Sequence, residues 1–564
     1  MTTTSLPDAE PKVTAAEAGT TAYDVCVVGL GPTGLTFAHL LAERGLKVLV
    51  LEREPEYYGQ ARAVYTDDEC LRIFQTAGVA DELHADMTVD LPVQWLRADR
   101  SVLLQFNNPH RRNGWPTSNF FYQPFFERTL ERRLADRPGV TVRRGRAVLS
   151  VDQDADGVTV THQVCRGAGY GRTAPQLVEG TIQQVRVPYL VAADGGRSGV
   201  RMQLGIEMTG RSFPQRWLVV DLRAREGVDA FAHLPYFDFV CDPALPTVSC
   251  PQPERRHRFE FMLHDDDVTE DFETPEKAQE LMGQYVDPDS VIVDRQLVYT
   301  FNALVADRWR VGRIFLAGDA AHMTPQFIGQ GMNAGVRDAD NLSWKLADVL
   351  AGRADESILD SYESERRPHA KAMIDLSVFN KDMVSTGNPW AIRAREVAAQ
   401  VAPRLPVART ALKEMKIKPR PRLRRGAHLG QQRRLGGLIG AQGTLLPQPP
   451  VRTHAGRPVR LDDALGTGWS LIGVRVDPHA VLGSAWDSHE PTLVALYEPG
   501  AQPQGRPAAT SMASDQPRSA TTLEATDDQW GRWLRRSLIR QGSVIVVRPD
   551  KYVHSVIAGP RGAR

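Results

Sequence analysis

Apolar and polar positions change period several times along the chain, and each change marks an element. In YDVCVVGLGPTGLTFAHLLAERGLKVLVLER, residues 23–53, a β-branched run at Val25, Val27 and Val28 gives way to a helical stretch from Gly34 through Ala42, and Lys47 to Leu51 forms a second apolar run ending at Glu52. This pattern predicts a βαβ unit. Val25 to Ala42 runs 18 residues without Asp, Glu, Lys or Arg, the length of a membrane span, but Gly29, Gly31, Pro32, Gly34 and His39 fit a strand, a turn and a helix better. Two later apolar runs end in an acid–glycine pair: VPYLVAADGGRSGVR at 187–201, and RIFLAGDAAHMTPQFIGQGMNAGVRDADNLSWKLA at 313–347, with a helix predicted from about Met332. Towards the C-terminus, WSLIGV and PTLVALY read as strands, DDQWGRWLRRSLI as an amphipathic helix, and SVIVVRPDKYVHSV as a hairpin turning at Pro549-Asp550.

Composition narrows the class. The chain has 564 residues, 42% apolar and 24% charged, which suits a globular protein of about three domains. Lys+Arg and Asp+Glu both number 68, so the net charge is 0. That balance argues against a nucleic-acid binder relying on bulk positive charge and points to a small-molecule partner. Cys26, Cys70, Cys165, Cys241 and Cys250 are scattered without CxxC or zinc-ligand spacing, which predicts a reduced, cytoplasmic, metal-free protein. Residues 1–22 lack an apolar signal region and read as a disordered tail.

The glycines of Gly29-x-Gly31-x-x-Gly34 let the backbone turn tightly and approach a pyrophosphate, whose charge meets free N–H groups and the positive end of the helix. Glu52, 18 residues after Gly34, is placed to accept hydrogen bonds from ribose hydroxyls. This is a dinucleotide site, and taken alone it suits NAD or FAD. Asp194-Gly195 and Gly318-Asp319 are, singly, ordinary strand-ending turns. Their order and spacing behind the βαβ unit argue against coincidence.

Together these three segments resemble the FAD-dependent aromatic hydroxylases, the single-component flavoprotein monooxygenases related to para-hydroxybenzoate hydroxylase. ARAVYTDDECLR (61–72), NGWPTSNFFYQP (113–124), RWLVVDL (216–222), RFEFM (258–262) and ERRPHAKAMIDLS (365–377) extend the likeness, which is strongest towards the hydroxylases of 3-(3-hydroxyphenyl)propionate. The resemblance implies an α/β, Rossmann-like FAD/NAD(P)-binding fold over 23–400 with a β-sheet substrate domain inserted at about 91–120 and 205–295. A helix and linker at 401–458 and a thioredoxin-like domain at 459–564 would follow. It implies FAD as cofactor, held by Gly29, Gly31, Pro32, Thr33, Gly34, Glu52, Arg53, Arg62, Gln123, Asp194, Gly195, Gly318, Asp319, Gly331, Met332 and Asn333, with Asp319 on the ribityl chain.

NADH or NADPH would reduce the flavin from a transient groove, since no second GxGxxG unit is present. O2 would then add at C4a, and the resulting hydroperoxide would attack a phenolic ring ortho to its hydroxyl. The implied catalytic positions are Pro325, Gln330 and Gly331. Pro325 matches a proline whose carbonyl approaches the substrate hydroxyl, with a rigid turn as its alternative role. N–H groups of Gln330, Gly331 and Met332 at a helix start suit the negative charge of reduced flavin, as in an oxyanion hole. His322 reads as a packing residue at a helix end rather than a general base.

The substrate side stays open. In RHRFEFML, Phe259 and Phe261 facing a flat ring with Arg258 on a carboxylate is one reading, and an aromatic core with a solvated Arg–Glu face is the other. Trp115, Tyr236 and Phe237 are further pocket candidates. The expected substrate is 3-(3-hydroxyphenyl)propionate or a similar phenolic acid. A polycyclic aromatic polyketide is the alternative, and a non-catalytic FAD-binding protein a third reading. The basic run from Lys413 and Lys416 through Lys418, Arg420, Arg422, Arg424 and Arg425 has no interleaved aromatics and reads as a solvated linker, not a nucleic-acid or membrane contact. The C-terminal unit has no cysteine, which excludes thioredoxin chemistry and leaves packing or a homodimer contact.

Overall fold

The computed structural model describes residues 22–559 apart from 58, 60, 167–174, 265, 407, 409–417, 428–439 and 502–519. The expected tail, bar Ala22, and Lys413 and Lys416 lie outside the described residues. Along the chain, the elements that carry the site are β1 (Val25–Val28), α1 (Pro32–Glu43), β2 (Val48–Leu51), β3 (Tyr189–Ala192), the long strands β4 (Met208–Ala224), β5 (Arg256–Met262) and β6 (Val291–Ala306), then β7 (Ile314–Leu316), α2 (Gly331–Leu350) and α3 (Ser361–Ser385).

The apolar runs pair as expected. β7, β3, β1, β2 and Val140–Arg143 lie side by side in parallel, with Arg310–Val311 antiparallel at the β7 edge. β1, β2, β3 and β7 are buried at every position, which is why they are continuous apolar runs rather than alternating ones. α1 begins at Pro32, two residues before Gly34, because proline's fixed φ suits a first helical turn.

Among the described residues a second sheet has the order His322–Met323, β6, β4, β5, Thr247–Gln252, Phe237–Val240, Val93–Leu96, Val102–Phe106. The parallel pairing of Val93–Leu96 with Phe237–Val240 joins the two expected insertions in one sheet. The sheet continues beyond residue 295, through β6 to Ala306, while Asn119–Phe120 pairs elsewhere, with Tyr65–Thr66 and Thr88–Val89. Strand alternation divides it. Leu218, Val220, Phe259 and Phe261 lie in a core closed by Ala278, Leu281 and Met282 of the helix Pro275–Met282, whereas Trp217 and Met262 pack with Phe327 of the loop before α2. These are the helix face and the loop face of the sheet.

The C-terminal unit forms a sheet in which Ser470–Val474 and Thr492–Tyr497 are parallel neighbours. The helix Gln529–Arg536 buries Trp530 and Trp533, and the hairpin turns at Pro549-Asp550 as expected. Pro450–Thr453, expected in the linker, is one of its strands. The hairpin docks on α2 and α3. Buried Glu365 accepts from Lys345 at 2.8 Å, Asn341 at 2.7 Å and Arg548 at 2.7 and 2.9 Å, and Trp344 donates to Asp550 at 3.0 Å. No described helix is long and apolar enough to cross a membrane.

Candidate active site

The three glycines of the first loop differ in what excludes a side chain. At Gly29, φ is +101° and a Cβ would sit 2.4 Å from Ala193 O; at Gly34 it would sit 2.0 Å from Gly29 O. Both are glycine because two backbones meet there. Gly31 has extended backbone and nothing within 4 Å of its missing Cβ, so its smallness leaves open space in front of α1. α1 starts there with no side-chain cap and no acid in its first turn, leaving its N–H groups and dipole to an anion. Glu52 is buried; one oxygen accepts from Leu30 N at 2.7 Å and the other from Glu54 N at 2.8 Å. It holds the loop and keeps lone pairs for a further donor. Arg53 pairs with Glu54 at 3.2 Å.

α2 supplies a second helix start without a side-chain cap or a first-turn acid. The two helices meet at Thr33, whose Oγ1 lies 2.7 Å from where a Cβ on Gly318 would stand and 2.1 Å from one on Gly335. Asp319 is exposed although protein surrounds it, which places it on a cleft wall. Burial raises its carboxyl, opposed by His322 and Arg62. His322 itself is buried, stacks on Trp309 and shares a 2.6 Å hydrogen bond with Asp338, which also accepts from Gly318 N at 3.1 Å and Arg366 at 2.9 Å. It braces the loop. In the second segment, Asp194 is raised by burial and its Oδ1 has no hydrogen-bond partner among the described residues, while the neighbouring Gly195 has φ +81° and open space.

Several expected site residues are engaged through their side chains. Asn333 binds Thr66 Oγ1 and Gly329 O, and Gln330 sits between Asp67 and Arg337. That leaves the backbone N–H groups at the open end of α2, at Gly331 and Met332, for a ligand. Gln123 accepts from the backbone of Arg62 and of Ala63, both at 2.6 Å. The carbonyl of Pro325 accepts from Ser377 Oγ at 2.6 Å and that of Phe327 from Asn380 at 2.7 Å, tying this loop to α3.

The substrate-side expectations need correction. Phe259 and Phe261 are fully buried on the helix face and are core. Arg258 is on the loop face, but it donates bidentately to Asp221 at 2.6 and 3.0 Å and to the carbonyls of Ala61 and Arg62. Its charge is matched within the protein. Trp115 is buried against the C-terminal unit, donating to Gln75 at 2.9 Å beneath the Arg460 guanidinium. Tyr236 is exposed. Phe237 does belong to the loop-face cluster, with Trp217, Phe239, Phe301 and Phe327. Beside it, Trp217 Nε1 and Tyr299 OH, on cross-strand partner residues, are buried donors with no hydrogen-bond partner among the described residues. Glu260, which looked like part of a solvated face, is buried and accepts from Gln326. A cleft of about 1530 Å³ between β4, β6 and α3 contains none of the fingerprint residues. Among the described residues no His, Cys, Asp and Glu cluster is arranged for a metal.

The open-backed loop at Gly31, the two uncapped helix starts and the orphaned Asp194 oxygen suit a large anionic dinucleotide. A model of the FAD binding domain matches residues 22–377, and one of the HcaD C-terminal domain matches 443–562. The chain belongs to the FAD-dependent hydroxylase family, with FAD as cofactor and NAD(P)H as reductant. It is 37% identical to 3-(3-hydroxy-phenyl)propionate/3-hydroxycinnamic acid hydroxylase 2 of Burkholderia vietnamiensis (strain G4 / LMG 22486), over 94% of this chain and 92% of that protein. It is 38% identical to the 3-(3-hydroxy-phenyl)propionate/3-hydroxycinnamic acid hydroxylase of Mycobacterium avium (strain 104), over 82% and 78% of the two chains. The ternary complex of aklavinone-11 hydroxylase with FAD and aklavinone shares the fold, with a TM-score of 0.73 and 24% identity over 96% of this chain and 97% of that one.

Proposed function

We propose that this monooxygenase hydroxylates 3-(3-hydroxyphenyl)propionate, or a similar phenolic acid, ortho to the ring hydroxyl, using NAD(P)H and O2 in aromatic catabolism. The observation that carries this reading is 37% identity over 94% of the chain to a hydroxylase of that name. Bound FAD supplies hydride acceptance and oxygen activation. The chain binds, orients and excludes water. Gly29 to Gly34 and the start of α1 hold the pyrophosphate, Glu52 the ribose, and Asp319 the ribityl chain, with Arg62, Gln123, Asp194 and Gly195 around them. The N–H groups of Gly331 and Met332 would stabilise the negative charge of the reduced ring; one such donor is worth about 2.7–4 kcal/mol in other enzymes.

On the substrate side, Trp217, Phe237, Phe301 and Phe327 form a wall for an aromatic ring, and the free Trp217 and Tyr299 donors await an acceptor. Pro325 O keeps a lone pair for the substrate hydroxyl beside its bond to Ser377. Arg395 is the group for a substrate carboxylate. It is buried, donates to the carbonyls of Met383 and Cys241, and has no carboxylate partner among the described residues; Cys241 belongs to the Trp217 cluster. The C-terminal unit is a thioredoxin-like domain retained for packing, in a cytoplasmic protein able to form a homodimer. The test is NADH oxidation by FAD-loaded protein with and without 3-(3-hydroxyphenyl)propionate, with the product weighed by mass spectrometry. Stimulated oxidation and a product one oxygen heavier support the reading. Stimulation without added oxygen marks a non-productive effector, and none with simple phenols shifts the assignment to a polycyclic polyketide.

A further inference from the structure

One charged cluster on the loop face touches both loops that flank the cofactor cleft. Arg258 and Arg295, paired with Asp221, reach the carbonyl of Ala61, and Arg258 also reaches that of Arg62. From the same strand as Arg258, Glu260 reaches across to Gln326, directly after Pro325. Ser377 to Pro325 O, Asn380 to Phe327 O and Asn333 to Gly329 O anchor the Pro325 loop through neutral groups, and Gln330 at its end sits between Asp67 and Arg337. The Glu260–Gln326 bond differs from the three neutral anchors in two ways. It joins the loop to the substrate sheet rather than to α2 or α3, and its acceptor can take a proton.

We propose that Glu260 is a positioning residue for hydroxylation: its carboxylate holds Gln326, thereby fixing the Pro325 loop against the substrate sheet, and protonation of Glu260 loosens that hold. The role in turnover rests on the hydroxylase reading above; the latch itself does not. A charge-assisted hydrogen bond is about twice as strong as a neutral one, so the ionised form grips Gln326 harder. The groups facing Glu260 are Arg258 of its own strand, Asp221 of β4, Arg295 of β6, Gln326 of the loop and the Cys250 thiol of Thr247–Gln252. Arg258 stands 4.0 Å away and is spent largely on Asp221. Burial therefore prevails over Arg258 and lifts the Glu260 carboxyl to about 7. The proton is therefore exchanged near neutral pH. Glu260 acts through Gln326 and the backbone that carries the Pro325 carbonyl.

The test is hydrogen exchange of segment 322–332 in the FAD-free protein, corrected for intrinsic rates, at about pH 6 and about pH 8. Wild-type protection should rise roughly ten-fold with pH, while Glu260→Gln and Gln326→Leu show no rise. Equal rises in wild type and Glu260→Gln, or no rise in wild type, overturn the latch. The second arm measures hydroxylated product per NADH across the same range. Wild-type coupling should fall on the acid side, and the Glu260→Gln profile should be flat. A wild-type-like inflection in Glu260→Gln overturns the positioning role. If exchange behaves as described but no phenol stimulates the wild type, the latch stands and the hydroxylase reading fails.

Discussion

The two ends of α2 follow opposite rules. At Gly331 the helix opens without a side-chain cap, and the neighbouring polar side chains of Gln330 and Asn333 bind protein rather than the cleft. At the other end Asn341, Trp344, Lys345 and Asp348 are buried and all are matched, by Glu365 of α3, by Asp550 of the hairpin, or by Arg353 and Trp469. Unsatisfied backbone groups at a helix start are an invitation to an anion. Buried side chains left unsatisfied would instead cost the fold directly. One helix thus separates binding from cohesion, and substitutions at its two ends should separate them experimentally.

The largest effect is expected at the closed end. Glu365→Ala leaves Lys345 buried without its carboxylate and Arg548 with Asp550 alone, so unfolding free energy should drop by about 3–5 kcal/mol in denaturant titration. A loss below about 1 kcal/mol would undo the comparison. Burial alone would raise the Glu365 carboxyl, but Arg548 and Lys345 outweigh it and hold it below 4.5. Its stabilisation is therefore complete above the unfolded value and is lost as pH falls through the lower folded one. Acidification should narrow the gap between wild type and Glu365→Ala.

At the open end, Gly31→Val should weaken FAD binding about 100-fold, roughly 2.7 kcal/mol. Nothing stands within 4 Å of the new Cβ, so the thermal midpoint of the FAD-free protein should hold. Retained FAD affinity, or a collapsed apoprotein, would place Gly31 with the packing glycines instead. Arg395→Met should raise KM for the phenolic acid roughly ten-fold with kcat nearly unchanged, and should not affect a phenol lacking the carboxylate. Equal effects on both phenols would remove Arg395 from substrate binding. The smallest change is Lys418→Ala. Its side chain is 27% exposed and Asp67 keeps Arg337, so less than about 1 kcal/mol is at stake in thermal or denaturant unfolding.

What was legible follows from distance along the chain. The βαβ unit, the acid–glycine turns and the C-terminal hairpin are each written in contiguous residues, and their periods and turn chemistry survive folding. The alternation of RHRFEFML was also correct as a strand, yet nothing in it says which face meets the cleft. Phe259 and Phe261 went to the helix core and the charged face inwards, because Asp221, 37 residues away, neutralises Arg258. Trp115 misled for a similar reason: its neighbour Arg460 comes from the C-terminal unit. Glu260 was hidden because a glutamate in an alternating strand ordinarily faces water. Its partner Gln326 lies 66 residues on.

The most direct measurement is turnover under isotopically labelled dioxygen, with NADH and 3-(3-hydroxyphenyl)propionate, followed by the mass of the product. One labelled oxygen on the ring is the result expected from this fold and site. Product oxygen derived from water, or NADH consumed with no oxygenated product from any phenol, would contradict the assignment.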